Sequence, residues 1–151
     1  MQKLNLPPAD LTLKTENGKR QVFDVIRKKY VALTPEEWVR QHIIHYLTGM
    51  LKYPAGLMAV EALVKVNGLN QRADIVVYDK KGTPAMIVEC KAPDVKIGNE
   101  VFEQAARYDM KLGVKYLFVS NGLKHFCARL NREEGTFSLL KSVPSVEDIN
   151  K

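Results

Sequence analysis

Only two of the 151 residues are cysteine. Cys90 and Cys127 match no C-x-x-C ligand spacing, so a structural zinc site and a disulfide framework are both disfavoured, and buried reduced thiols are expected. No apolar run approaches the roughly 20 residues that cross a bilayer, and the opening MQKLNLPPADLTLK has neither the apolar core nor the small-residue cleavage site of a signal peptide. Those absences make the cytoplasm the expected location. Internal repeats, linkers, low-complexity segments and zinc fingers are also missing, which leaves one well-cored domain over residues 1–151, its core about 20–143 and a short polar tail 144–151.

What is present is the composition of an ordinary globular protein, 46% hydrophobic and 26% charged. Lys and Arg outnumber Asp and Glu by 23 to 17, for a formal charge of +6. A polyanionic partner such as nucleic acid suits that balance.

The pattern of elements reads β, α, β, β, β, α, β, β, β. After the turn-like ENGK, the stretch Arg20 to Leu33 is rich in Val, Ile, Phe and Tyr and reads as extended. LTPEEWVRQHIIHYLTGMLKYP opens a helix, with Thr34 at the N-cap, Pro35 in the first turn and Glu37 placed to close a capping box. Three strands follow, GLMAVEALVKVNG, QRADIVVYD and PAMIVECKA, as an antiparallel meander. A second helix runs from Glu100 to Leu112, with Asn99 as N-cap and Gly113 past its end. KYLFVSNG, KHFCARLN and TFSLLK supply the last strands. The expected fold is α+β: one central mixed sheet containing the meander, flanked by helices.

IVECKAPD sets charges at the end of an otherwise buried strand. Glu89 and Lys91, two apart, share one face; Val88 and Cys90 share the other. If Asp79 pairs with Pro84, Asp74 falls opposite Glu89. Directly opposed acids cost on the order of 0.2–1 kcal/mol, more where the face is partly buried. Lys91 or a divalent cation between them relieves that repulsion, and so does an exposed face on which all three form a solvated cluster.

The helices add candidates. Val101, Ala105, Tyr108 and Leu112 follow the spacing of a core stripe, with Gln104 beside it. In the first helix Val39, Ile43, Leu47 and Met50 share a face, with Glu36 near its centre and Arg40 alongside; Glu37 sits at the flank, explained by its cap. His42 and His45 project on the opposite side and read as solvated.

Asp74, then Glu89-x-Lys91, then Gln104 and Tyr108 in QAARY together resemble the PD-(D/E)XK nuclease superfamily. TPEEWVRQ, RADIVVYD, IVECKAP and QAARYDMKLGVKYLFVSNG, spanning most of the chain from about Arg20 to Leu130, resemble more narrowly the N-terminal nuclease domain of type I restriction endonuclease R subunits. The resemblance implies Mg²⁺-dependent hydrolysis of DNA phosphodiester bonds, with Mn²⁺ able to substitute. It makes Asp74 and Glu89 metal ligands, the Cys90 backbone carbonyl a third, Glu36 the helical acid with Glu37 as fallback, Lys91 the catalytic lysine, and Gln104 and Tyr108 the Q-x-x-x-Y pair. Ala73 replaces the proline of the superfamily name. No G-x-x-x-x-G-K-[ST] loop is present, so no helicase motor is expected in this chain. A homodimer, or a separate partner supplying specificity or the motor, fits that absence. A DNA-binding module that keeps the fold without catalysis is the alternative.

Overall fold

The computed structural model describes every residue except Asn67. It contains two sheets rather than the single one expected. A small antiparallel sheet is built from β1 (Leu13–Glu16), β2 (Lys19–Asp24) and β3 (Lys29–Ala32). The first turn uses Asn17 and Gly18, both at positive φ, as a two-residue hairpin requires. The second breaks the expected continuous segment: Asp24 accepts the Ile26 and Arg27 amides, 2.8 Å each, and its carbonyl accepts Lys28 N–H.

The central sheet is six-stranded and mixed, in the order β4 (Met58–Val66), β5 (Leu69–Tyr78), β6 (Pro84–Cys90), β7 (Tyr116–Ser120), β8 (His125–Asn131), β9 (Thr136–Leu140). β4 to β6 form the expected meander; β6 and β7 are parallel, connected by α2 (Asn99–Lys111). Strict alternation feeds two cores. Met86, Val88, Cys90, Tyr116 and Phe118 pack on the side of α1 (Pro35–His45), with Val39, Ile43 and Leu47. Ile87, Leu117 and Val119 pack on the side of α2, with Phe102, Ala106 and Met110. Fully burying a side chain such as Phe118 contributes about 2–3 kcal/mol, so the two layers clamp the middle strands from both faces.

Several boundaries differ from expectation for physical reasons. The inward stripe of α2 is Phe102, Ala106, Asp109 and Met110, while Val101 is 52% exposed. Phe102 offers more apolar area than Val101 and meets Phe126 and Phe137 at 6.0 and 5.7 Å between ring centres, which rotates the helix by one residue. Its N-cap is Gly98, with no side-chain bond, rather than Asn99. Met50 leaves the α1 stripe because Tyr46–Met50 is a π-helical turn, closed by Leu51 N–H to the Tyr46 carbonyl. His42 is buried, not solvated, its Nδ1 2.8 Å from the Trp38 carbonyl. His45 is half-buried. The C-terminal tail is anchored: α3 (Val146–Ile149) has a complete capping box of Ser145 and Asp148, Ile149 enters the core, and the Tyr53 hydroxyl donates to the Pro144 carbonyl.

Candidate active site

β5 and β6 carry the opposed acids. Their ladder pairs Ile75 with Val88 and ends there, so that the same register continued one step would set Asp74 opposite Glu89. The expected route to that register was a pairing of Asp79 with Pro84; instead Tyr78 pairs with Pro84, and the shift between Val77 and Tyr78 leaves Ala85 as an extra residue that restores the same alignment. The following turn is held by the Asp79 carboxylate, which accepts Lys81 and Thr83 N–H at 2.9 and 3.0 Å.

A second distortion sits at the same level. β4 pairs Val60 with Ile75 and Ala62 with Ala73; Glu61 between them, opposite Asp74, has φ of +51°. A left-handed non-glycine residue costs on the order of 1–3 kcal/mol. Its consequence is a change of face: Ile75 packs in the α1 layer, yet Ala73, two residues away, packs in the α2 layer. At the point of exchange one Asp74 oxygen accepts the Cys90 N–H at 2.6 Å, fastening β5 to the end of β6. The other accepts Arg40 Nη2 at 3.1 Å, reaching from α1.

Glu89 follows Ile87 onto the α2 face and is half-buried. Burial pushes its carboxyl above the ordinary range, Lys91 opposes that, Asp74 adds to it, and Gln71, 3.4 Å away, gives a weak stabilising contact. Lys91 lies just past β6, half-buried, its amide donating to the Ser120 carbonyl at 2.9 Å. The Cys90 thiol is buried in the α1 layer and pushed well above its usual range by burial, so it stays protonated and is no metal ligand; only its backbone can serve the site. Cys127 is likewise a buried free thiol, pushed up to about 12 by burial.

The other candidates fall differently. Glu36 is directed at Arg40, 3.1 Å from Nη2, the same nitrogen that holds Asp74. Glu37 does not close a capping box: Thr34 accepts its amide at 3.0 Å, but its own carboxylate is buried and accepts Arg27, Arg40 and Gln41 at 2.8–3.0 Å. Gln104 is exposed, beside a groove formed with Glu100, Glu103 and Arg107, and is not brought to the acids. The Tyr108 hydroxyl donates to the Asn70 carbonyl, which ties α2 to the start of β5.

Three features of the site were not foreseen. Arg40 and Arg27 form a partly buried lattice with Asp24 and Glu37, which are buried, with Asp74, and with Glu36 and Glu61, which reach solvent. The spacing of Glu36 and Glu37 from Arg40, four and three residues, was the available signal. Gln71 supports Glu89 from β5. Asp109, on the inner face of α2, is fully buried with both carboxylate oxygens unpartnered; burial and the charge on Glu89 push it up to about 8.

Among the described residues no three His, Cys, Asp or Glu side chains converge as a ready-made metal cage. The donor set nevertheless fits a hard cation. Two carboxylates stand close enough for the charge of Asp74 to raise the Glu89 carboxyl, which burial also destabilises, and Mg²⁺ needs only one or two carboxylates besides water and carbonyl oxygens.

No helix among the described residues is long and apolar enough to cross a membrane. No curated protein matches the chain. The fold is similar to a solved fragment described as an HsdR subunit of a type I restriction enzyme from Vibrio vulnificus YJ016, with a TM-score of 0.55 and 20% identity; the match covers 78% of this chain and 24% of that one. This chain therefore spans about a quarter of that fragment's length. The sequence model of the type I restriction enzyme R protein N terminus matches residues 35–144, which include α1, the meander, α2 and all the acids of the site except Asp24. By that match the chain belongs to the family of type I restriction enzyme R protein N-terminal domains.

Proposed function

We propose that this chain is a nuclease domain that hydrolyses DNA phosphodiester bonds with the help of a divalent cation. The observation that carries the reading is the closeness of Asp74, Glu89 and Lys91 at the end of β6, where the charges of Asp74 and Lys91 both act on the Glu89 carboxyl. Membership of a restriction-enzyme family and the net charge of +6 support it.

Asp74, Glu89 and the Cys90 backbone carbonyl would hold Mg²⁺ or Mn²⁺. When bound, the cation supplies the Lewis acidity that makes water a nucleophile at neutral pH and offsets charge on the phosphate. Asp74 presents its carboxylate from a fixed position, because the Cys90 amide and Arg40 each engage one oxygen. Lys91 follows a strand end fixed by the Ser120 carbonyl, where its ammonium stabilises negative charge developing on the phosphate. Tyr108 holds the β5 end against α2 rather than meeting substrate, and Gln104, exposed on α2, is free to contact the DNA backbone.

Cleavage of linear, nicked, branched and single-stranded DNA with Mg²⁺ or Mn²⁺, run beside Lys91→Ala, tests the reading. Lys91→Ala should lower the rate by about 10²–10³, the size of losing one charge-stabilising donor, with the circular dichroism spectrum unchanged. Equal rates would remove Lys91 from the chemistry. Metal-independent, salt-sensitive DNA binding with no cleavage by either protein would favour the non-catalytic module.

A further inference from the structure

Arg40 is 4% exposed, and its guanidinium is divided among four carboxylates instead of forking onto one. Nη2 holds Glu36 and Asp74 at 3.1 Å each; Nη1 holds Glu37 at 2.8 Å and Glu61 at 3.5 Å; Nε is buried without a partner. The bidentate geometry that guanidinium favours is therefore not used on any single partner. Across the whole lattice two arginines serve five carboxylates. Asp24 and Glu37 are fully served and Glu36 and Glu61 reach solvent, so the partner with the least secure share of positive charge is Asp74, which divides one guanidinium nitrogen with Glu36.

Both Asp74 oxygens are engaged, one by a backbone amide fixed in the sheet and one by this side chain. A cation that takes Asp74 must displace or share one of them, and the amide cannot move without breaking the end of β6. The side chain can move, because Glu36, Glu37 and Glu61 continue to hold it after Asp74 is released. A dication at Asp74 also meets a positive charge already in contact with its ligand, and like charges oppose binding.

We infer that Arg40 is a resident counter-ion, a positioning residue that holds Glu36 and Asp74 together in the metal-free chain, yields Asp74 to an incoming divalent cation, and thereby sets the affinity of the site for metal. The inference rests on the proposed metal site. It also accounts for the helical acid: Glu36 reaches the β5 acid only through this guanidinium, so Glu36 and Arg40 act as one unit on Asp74.

The test compares Mn²⁺ affinity by calorimetry with metal-free thermal stability in wild type, Arg40→Gln and Arg40→Lys. Arg40→Gln should melt earlier without metal, because buried Glu37 loses a charge partner, and yet bind Mn²⁺ about tenfold more tightly, the size of a one-unit effect from a neighbouring charge. Arg40→Lys, whose single ammonium cannot serve the Glu36–Asp74 pair and the Glu37–Glu61 pair together as two guanidinium nitrogens do, should fall between it and wild type. A purely structural arginine would lower stability and affinity together, so opposite signs support the inference. If Arg40→Gln does not fold, tighter binding by Arg40→Lys than by wild type decides in favour. Wild type that binds Mn²⁺ beside variants that bind equally or more weakly overturns the inference alone. Wild type that neither binds Mn²⁺ nor cleaves DNA overturns the nuclease reading, and the inference with it.

Discussion

Buried acids stand on both sides of the central sheet and are treated in opposite ways. On the α1 side Asp24 and Glu37 are fully served: Arg27 donates to both, Arg40 to Glu37, Gln41 to both, and two backbone amides to Asp24. On the α2 side, among the described residues, Asp109 has no hydrogen-bond partner and Glu89 has only a long contact with Gln71 and the nearby charge of Lys91. The first arrangement joins the small sheet, α1 and β5 by charge-assisted bonds, so it is a device of folding. The second keeps carboxylates poorly compensated next to the strand end that carries the candidate chemistry. Charge left unsatisfied in a fold is stability withheld, and it is withheld here beside the cation site proposed above.

The largest effect is expected from breaking the satisfied side. Arg27→Met removes the guanidinium from Asp24 and Glu37, both buried, and leaves them short of positive charge. Removing one partner of a buried pair costs about 3–5 kcal/mol; the backbone amides that remain on Asp24 place this variant near the lower figure. Urea unfolding at pH 7 measures it. The pH dependence adds a second readout. Burial alone would raise the Asp24 carboxyl, but the bonds from Arg27, Gln41 and Ile26 outweigh it and hold it below the ordinary range. Its contribution is therefore present above the unfolded value near 3.9 and is lost as pH falls through the lower folded value. Arg27→Met should lose less stability than wild type over that acid window. A cost under about 1 kcal/mol would mean that these ion pairs act as weak surface contacts do, and the contrast between the two sides would fail.

The same contrast separates what was legible in the sequence from what was not. Period-two alternation marked β4 to β9 closely, and the opposed pair of Asp74 and Glu89 with Lys91 could be read because side chains in adjacent strands are related by a simple register. The register leading toward the two acids was right as far as Ile75 and Val88 while its cause was not: it comes from the irregularity at Val77 and Tyr78, which alternation cannot reveal. The arginine lattice was out of reach because it is built from distant positions, Asp24 with Gln41 and Arg40 with Asp74, 17 and 34 residues apart. Glu37 and His42 looked peripheral on a helix considered alone; both are buried because the small sheet and the N-terminal segment, where Gln2 accepts the Trp38 indole N–H, cover that side of α1. Asp109 was hidden by the one-residue error in the phase of α2, which left Tyr108 in the inward position that Asp109 occupies.

Asp109 gives the intermediate prediction. Its carboxyl titrates near 3.9 unfolded and about 8 folded. Between those values the folded chain keeps a proton that the unfolded chain has released, so stability is full below about pH 4 and declines as pH rises through about 8. Asp109→Asn has no proton to lose. Variant and wild type should unfold at similar urea concentrations at pH 4, and the variant should be more stable by roughly 3 kcal/mol at pH 8, a value kept below the full conversion of the shift at 1.36 kcal/mol per unit. Parallel stability curves from pH 4 to 8 would show that Asp109 has a compensating partner and that the α2 side resembles the α1 side after all.

The smallest effect is expected at Gln71. Its amide is 3.4 Å from Glu89, at the long end of hydrogen bonding, and both side chains are half-buried, so Gln71→Ala should cost under about 1 kcal/mol. Its informative readout is the Glu89 carboxyl, followed by carbon NMR, which should titrate higher once the Gln71 amide is gone and burial acts with less opposition. Burial and the neighbouring Asp74 leave Glu89 dependent on Lys91 and, in the proposed function, on a bound cation. Added Mg²⁺ should therefore lower that titration more in Gln71→Ala than in wild type, because the ion replaces a stabilisation the variant lacks. If Gln71→Ala instead costs as much as Arg27→Met, Glu89 is held by its protein neighbours as firmly as Asp24 is, and the two sides of the sheet differ only in which residues do the holding.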